Sequence, residues 1–165
     1  NLSSNENAIE ILTNNQDKIR WKQLSTNDNA IELLTDNQDK ICWWYLSMNL
    51  NAIELLKDNL DKIGLGYWDN LSGNKNAIEI LTNNQDKIEW FWLSGNPNAI
   101  ELLKDNIDEL HFLVGLEHLI RLCWATLSSN KNFIELLKDN QDKINWKELS
   151  RNRSIFTDEP MPELL

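Results

Sequence analysis

The stretch Leu24-Ser25-Thr26-Asn27-Asp28-Asn29-Ala30-Ile31-Glu32-Leu33-Leu34-Thr35-Asp36-Asn37-Gln38-Asp39-Lys40-Ile41-Cys42-Trp43-Trp44-Tyr45 decides the fold, because its pattern returns along the whole chain. Units of the form L-S-x-N-x-N-A-I-E-[IL]-L-x-x-N-x-D-K-I-x-W-x-x begin at Leu2, Leu24, Leu46, Leu71, Leu93, Leu127 and Leu149. Successive starts lie 22, 22, 25, 22, 34 and 22 residues apart, so the unit is 22 residues long with two insertions. A fixed period this short predicts a stack of like units, not a globule around one closed core. The expected architecture is an all-α, elongated, right-handed solenoid of about seven units, the last incomplete. Residues 1–165 form one repeat domain on this reading, with insertions near 64–67 and 111–123 and a degenerate end over 157–165.

Each unit reads as two short helical pieces. In Asn51-Ala52-Ile53-Glu54-Leu55-Leu56-Lys57-Asp58-Asn59, Asn51 is placed to cap the first turn and Glu54 to reach back to it, a capping box with Asn in the Ser/Thr place. Ala52, Ile53, Leu55 and Leu56 make one apolar face, and Asn59 is expected to end the helix in a left-handed conformation. In Asp142-Lys143-Ile144-Asn145-Trp146-Lys147-Glu148-Leu149-Ser150, Asn145 and Glu148 resemble a second capping pair around one or two turns, partly 3-10. Neither piece would hold alone in water, so stability should spread between neighbouring units.

Two asparagine slots recur. One holds Asn5, Asn27, Asn49, Asn74, Asn96, Asn130 and Asn152; the other holds Asn15, Asn37, Asn59, Asn84, Asn106 and Asn140. Every unit must close its turns, and a short amide does so by bonding nearby backbone, which favours a structural role over a ligand-binding row. The Trp slot (Trp21, Trp43, Trp68, Trp90, Trp124, Trp146) supplies one large ring per unit and predicts a continuous buried core.

Composition limits function. With 26 acidic against 16 basic side chains and a formal charge of −10, the chain repels nucleic-acid phosphates and anionic lipid. No apolar run reaches the roughly 18 residues a membrane span needs. The chain opens on Asn1 within a repeat, as expected of a fragment or a processed product. Cys42 and Cys123 share the slot before the Trp in distant units, which predicts free thiols and a reducing compartment. His111 and His118, seven residues apart, could meet Cys123 or Glu117, but no three or four ligands stand at recognised zinc spacing. No nucleophile–base pair, phosphate-binding Gly loop or paired-carboxylate motif stands out. The reading is therefore of a protein that is not an enzyme and uses no metal or cofactor.

Asn96-Pro97-Asn98-Ala99-Ile100-Glu101-Leu102-Leu103 and the closing Leu149-Ser150-Arg151-Asn152-Arg153-Ser154-Ile155-Phe156 resemble a known pattern. It is that of the N-P-N-A-I-x-L-L / D-K-I-x-W-x-x-L-S repeat proteins of large nucleocytoplasmic DNA viruses of the mimivirus type. The resemblance covers residues 2–156. Glu6, Asp28, Leu50, Lys75 and Lys131 stand where that pattern has Pro, as does Gln16 in Asn15-Gln16-Asp17; such losses cost stability and leave the fold. The unit is also similar to leucine-rich-variant short helical repeats. The resemblance implies a viral protein located in the virion or host cytoplasm, and implies no activity.

Deviations between units carry the functional signal. The two residues after the Trp are polar in unit one (Lys22, Gln23) and unit six (Lys147, Glu148). Unit two has Trp44 and Tyr45 there, and unit four has Phe91 and Trp92. Aromatic side chains anchor protein interfaces, so these four form the candidate protein-binding site. The alternative is that they pack beneath Gly64–Tyr67 or the His111–Cys123 insertion. The latter, being apolar, predicts an added or lengthened helix. The expected function is a non-enzymatic repeat scaffold for protein–protein interaction. The alternative is a structural component of a virus particle, either a minor capsid or an internal scaffold protein.

Overall fold

A computed structural model describes residues 2–106 and 117–155, with the side chains of 117–119 excepted. The first helices of successive units are α1 (Ile9–Thr13), α3 (Ile31–Thr35), α5 (Ile53–Lys57), α7 (Ile78–Thr82), α9 (Ile100–Asp105) and α11 (Ile134–Asp139). The second helices are α2 (Trp21–Leu24), α4 (Trp43–Leu46), α6 (Trp68–Gly73), α8 (Trp90–Ser94), α10 (Glu117–Ser129) and α12 (Trp146–Leu149). A 3-10 turn such as Gln38–Lys40 or Gln85–Lys87 joins the two helices of a unit. Among the described residues there is no strand. The chain is thus an all-α repeat solenoid. The 3-10 character falls ahead of the second helix, which is itself α-helical.

The interior is a line of aliphatic side chains, one set from each unit. Leu24, Leu46, Leu71, Leu93 and Leu127 are completely buried, and so are Leu34, Leu56, Leu81 and Leu103 from the first helices. Each such side chain contributes on the order of 1.5–3 kcal/mol by leaving water. Ile19, Ile41, Ile63 and Ile88 close the core from the D-K-I segment.

The Trp row is not the uniform core the sequence predicts. Trp68 and Trp124 are 2% and 3% exposed, Trp21, Trp43 and Trp90 are half-buried, and Trp146 is 67% exposed. A lysine of the following unit covers part of the ring at four of these positions. Lys40 Nζ lies 4.8 Å from the Trp21 ring centre, Lys62 4.8 Å from Trp43, Lys87 5.0 Å from Trp68 and Lys143 5.4 Å from Trp124. Each is a cation–π contact across a unit boundary. Trp146 has no such lysine over it among the described residues.

The asparagines do more than close turns. Asn49 Nδ2 donates to the Ser25 and Asn27 carbonyls at 3.1 and 3.0 Å. Asn74 reaches Ser47 and Asn49 in the same way, and Asn96 reaches Ser72 and Asn74. Their Oδ1 atoms accept the N–H two residues on, as Asn49 does from Asn51 at 2.9 Å. The result is a buried amide ladder running between units. The second slot bonds back within its own helix, as with Asn59 Nδ2 to the Leu55 carbonyl at 2.9 Å.

Two local expectations are corrected. Asn51 does not form a capping box: its Nδ2 donates to the Asp28 carbonyl of the preceding unit, while Glu54 pairs with Lys57. Asn59 keeps a negative φ of −135°, because its amide is held by the turn behind it and no left-handed exit is needed. At Asn145 the cap does form, with Oδ1 accepting from the Glu148 N–H at 3.1 Å.

Gly64–Tyr67 becomes a 3-10 turn over Leu65–Tyr67 that leads into α6. The second insertion ends in α10, a 13-residue helix that absorbs the second helix of unit five and is the lengthened helix expected there. The rest of that insertion, His111 included, lies outside the described residues, as do the side chains of Glu117 and His118 and residues 157–165.

Candidate protein-interaction surface

The second helices lie side by side, with α6 against α8, α8 against α10 and α10 against α12. Each begins at its Trp because the chain before it is held extended. Cys42, with φ −90° and ψ 92°, donates its N–H to Ser25 Oγ at 3.1 Å. Glu89 and Asn145 do the same to Ser72 and Ser128. A helix so anchored turns its first residue toward the core and its next two outward. Those two slots therefore form a row across the outside of the stack.

In this row Trp44 is 38% and Trp92 49% exposed, while Tyr45 and Phe91 are half-buried. Trp44 and Tyr45 meet edge-on with ring centres 4.6 Å apart, and Phe91 and Trp92 meet edge-on at 5.4 Å. Phe91 also leans on the core. The four rings thus divide: one exposed tryptophan per pair, each braced by a partly buried ring. Neither tryptophan is buried beneath Gly64–Tyr67, where Leu65 itself is 85% exposed. Lys22 Nζ sits 4.7 Å from the Tyr45 ring centre, and hydrogen bonding to the Tyr45 side chain raises the Lys22 pKa.

Unit three separates the pairs and completes the surface. Its residues in these slots are Asp69 and Asn70, which sequence reading passed over because they are polar. The insertion directs the Tyr67 N–H to the Gly64 carbonyl, so Ser47 Oγ receives Asn70 Nδ2 instead, at 3.2 Å. Asn70 also donates to the Trp44 carbonyl at 2.9 Å and fixes the two units together. Met48, Asp69, Asn70, Gly73 and Trp92 line a shallow cleft of about 280 Å³. Met48 was legible as a deviation, since its slot holds Ser4, Thr26, Gly73, Gly95, Ser129 and Arg151 elsewhere. Beside the cleft, burial raises the Glu89 carboxyl pKa, and the charge of Asp69 adds to the shift.

Among the described residues no three His, Cys, Asp or Glu side chains are grouped to hold a metal ion. Cys42 and Cys123 are free, the second buried, and burial raises its thiol pKa. No helix of the described residues is long and apolar enough to cross a membrane.

The fold defines the chain as a helical repeat solenoid bearing an aromatic row on its second helices. No family model, curated protein or solved structure matches the chain.

Proposed function

We propose that this chain is a non-enzymatic scaffold that holds a protein partner on Trp44, Tyr45, Phe91 and Trp92. The observation that carries the reading is the exposure of Trp44 and Trp92, at 38% and 49%, in slots that units one, three, five and six fill with small or polar side chains. Among the described residues, neither ring belongs to the buried core or packs against it. Large rings held by a braced neighbour lose little freedom on binding and gain by desolvation, as interface anchors do. The resemblance in the repeat phrase supports a viral setting, and the free cysteines fit a reducing one such as the host cytoplasm or the virion. The acidic charge speaks against nucleic acid as the partner.

Proximity labelling in infected cells with the wild-type chain and a Trp44→Ala, Trp92→Ala variant tests the proposal. The variant should keep its circular dichroism spectrum and lose a discrete labelled protein. If the variant unfolds, the rings belong to the core and the proposal fails. Recovery of the chain in purified particles, with the variant incorporated as well as wild type, would favour the structural-component reading instead.

A further inference from the structure

We infer that the cleft beside Trp92, floored by Asp69 and Asn70, takes an extended peptide segment of the partner, with a lysine or arginine over Asp69 and apolar residues on either side. The inference rests on the protein-binding reading above and adds the chemistry of the partner. It starts from charge. The chain carries a net −10, and the middle of the aromatic row is acidic. Asp69 makes no ion pair among the described residues, and neither does its neighbour Glu89. Asp69 thus lies in the cleft lining as a carboxylate without a cation, a local negative charge that a basic side chain would pair.

The aromatic rings point the same way. The chain itself places a lysine over a ring of this row, Lys22 over Tyr45 at 4.7 Å, and repeats the device at Trp21, Trp43, Trp68 and Trp124. Trp44 and Trp92 are the exposed rings of the row, and neither carries such a lysine among the described residues. A cation arriving in the cleft meets the Trp92 ring and the Asp69 carboxylate together.

The shape sets the length. Packed helices lie about 8–10 Å apart, so the second helices of units two and four stand about 16–20 Å from each other. About five or six extended residues span that distance at roughly 3.3 Å each. Above the floor the space is open: a Cβ placed on Gly73 would meet nothing within 4 Å. A basic residue at the centre of such a segment would lie over Asp69, and apolar residues near its ends would lie on Trp44, Met48 and Trp92.

The test is selection of a displayed random nonapeptide library on the full chain. Synthetic peptides from the selection are then titrated calorimetrically into wild type and the variants Asp69→Asn, Trp92→Ala, Gly73→Leu and Asp86→Asn. Gly73→Leu puts a side chain into the cleft from a position where a Cβ meets nothing within 4 Å, and Asp86, on the turn Gln85–Lys87, is not part of the cleft lining. The expected peptides carry Lys or Arg between apolar residues. Their Kd should weaken tenfold or more in the first three variants and stay within twofold in Asp86→Asn. Peptides that need Trp92 but carry no basic residue, or that ignore Asp69→Asn, overturn this inference and leave the protein-binding reading standing. Failure to select any peptide that responds to Trp92→Ala or to the Trp44→Ala, Trp92→Ala variant overturns both. Sedimentation of the chain alone identifies the other occupant: self-association abolished by Trp44→Ala, Trp92→Ala would make it a second copy, and the inference would fall.

Discussion

Asn74→Ala removes one rung of the amide ladder at mid-stack. Asn74 Nδ2 donates to the Ser47 and Asn49 carbonyls, both at 3.1 Å, and its Oδ1 accepts from the Asn76 N–H at 3.0 Å. Asn74, Ser47 and Asn49 are all buried, so water cannot replace the lost partners. Each of the three bonds is worth about 0.5–1.5 kcal/mol net, and each buried group left alone costs about 1–3 kcal/mol. The expected destabilisation is therefore about 3 kcal/mol. Asn76 offers the matched control: its exposed amide makes a single bond, to the Leu50 carbonyl at 2.8 Å, and Asn76→Ala should cost about 1 kcal/mol. Asn74→Asp should be worse than Asn74→Ala, because a carboxylate would face two carbonyl oxygens. Urea denaturation followed by Trp fluorescence gives the overall loss. Amide hydrogen exchange shows whether it centres on units three and four, as nearest-neighbour stabilisation requires. An Asn74→Ala loss no larger than that of Asn76→Ala would refute the ladder as an element of stability.

Trp68→Ala should cost about 3–5 kcal/mol, as for a fully buried ring, whereas Trp146→Ala should stay within about 0.5 kcal/mol; thermal denaturation of the two variants decides. Lys87→Met keeps the stem over Trp68 and removes the charge, so it should cost about 0.5–1 kcal/mol, and a loss near zero would deny the cation–π contact a role. Glu89 has a raised carboxyl pKa in the folded chain, so folding favours its protonated form. The stability this contributes is complete below the unfolded pKa of about 4.3 and is lost as pH rises through the folded value. Glu89→Gln should thus raise the melting temperature at pH 7, and the gain should shrink toward zero below about pH 4. A gain that is the same at both pH values would contradict the desolvation and the Asp69 repulsion.

Much of the candidate surface was legible because it appears as a departure from the repeat. Trp44, Tyr45, Phe91 and Trp92 stand where the remaining units are small or polar, and so does Met48 in its own slot. Asp69 and Asn70 were not legible, since a polar residue in a polar slot carries no signal. Their place in the cleft comes from the insertion, which displaces the Tyr67 N–H and leaves Ser47 Oγ to Asn70. The split of four rings into two exposed and two half-buried was also hidden: the exposed ring takes the first slot in unit two and the second in unit four, so the slot by itself does not set exposure.

The sequence by itself determined the period, the helical class and the two-helix unit. Those depend on information within some 22 residues: apolar spacing, turn asparagines and the D-K-I-x-W link. The tertiary structure alone decided what each repeated residue does. Asn51 has the neighbours of a helix cap, yet its amide is bonded to Asp28 of the previous unit. Trp68 and Trp146 occupy one slot, yet one is 2% and the other 67% exposed. In a stack, the atoms that bury a side chain or complete its hydrogen bonds belong to the next unit, about 22 residues away in sequence and in contact in space.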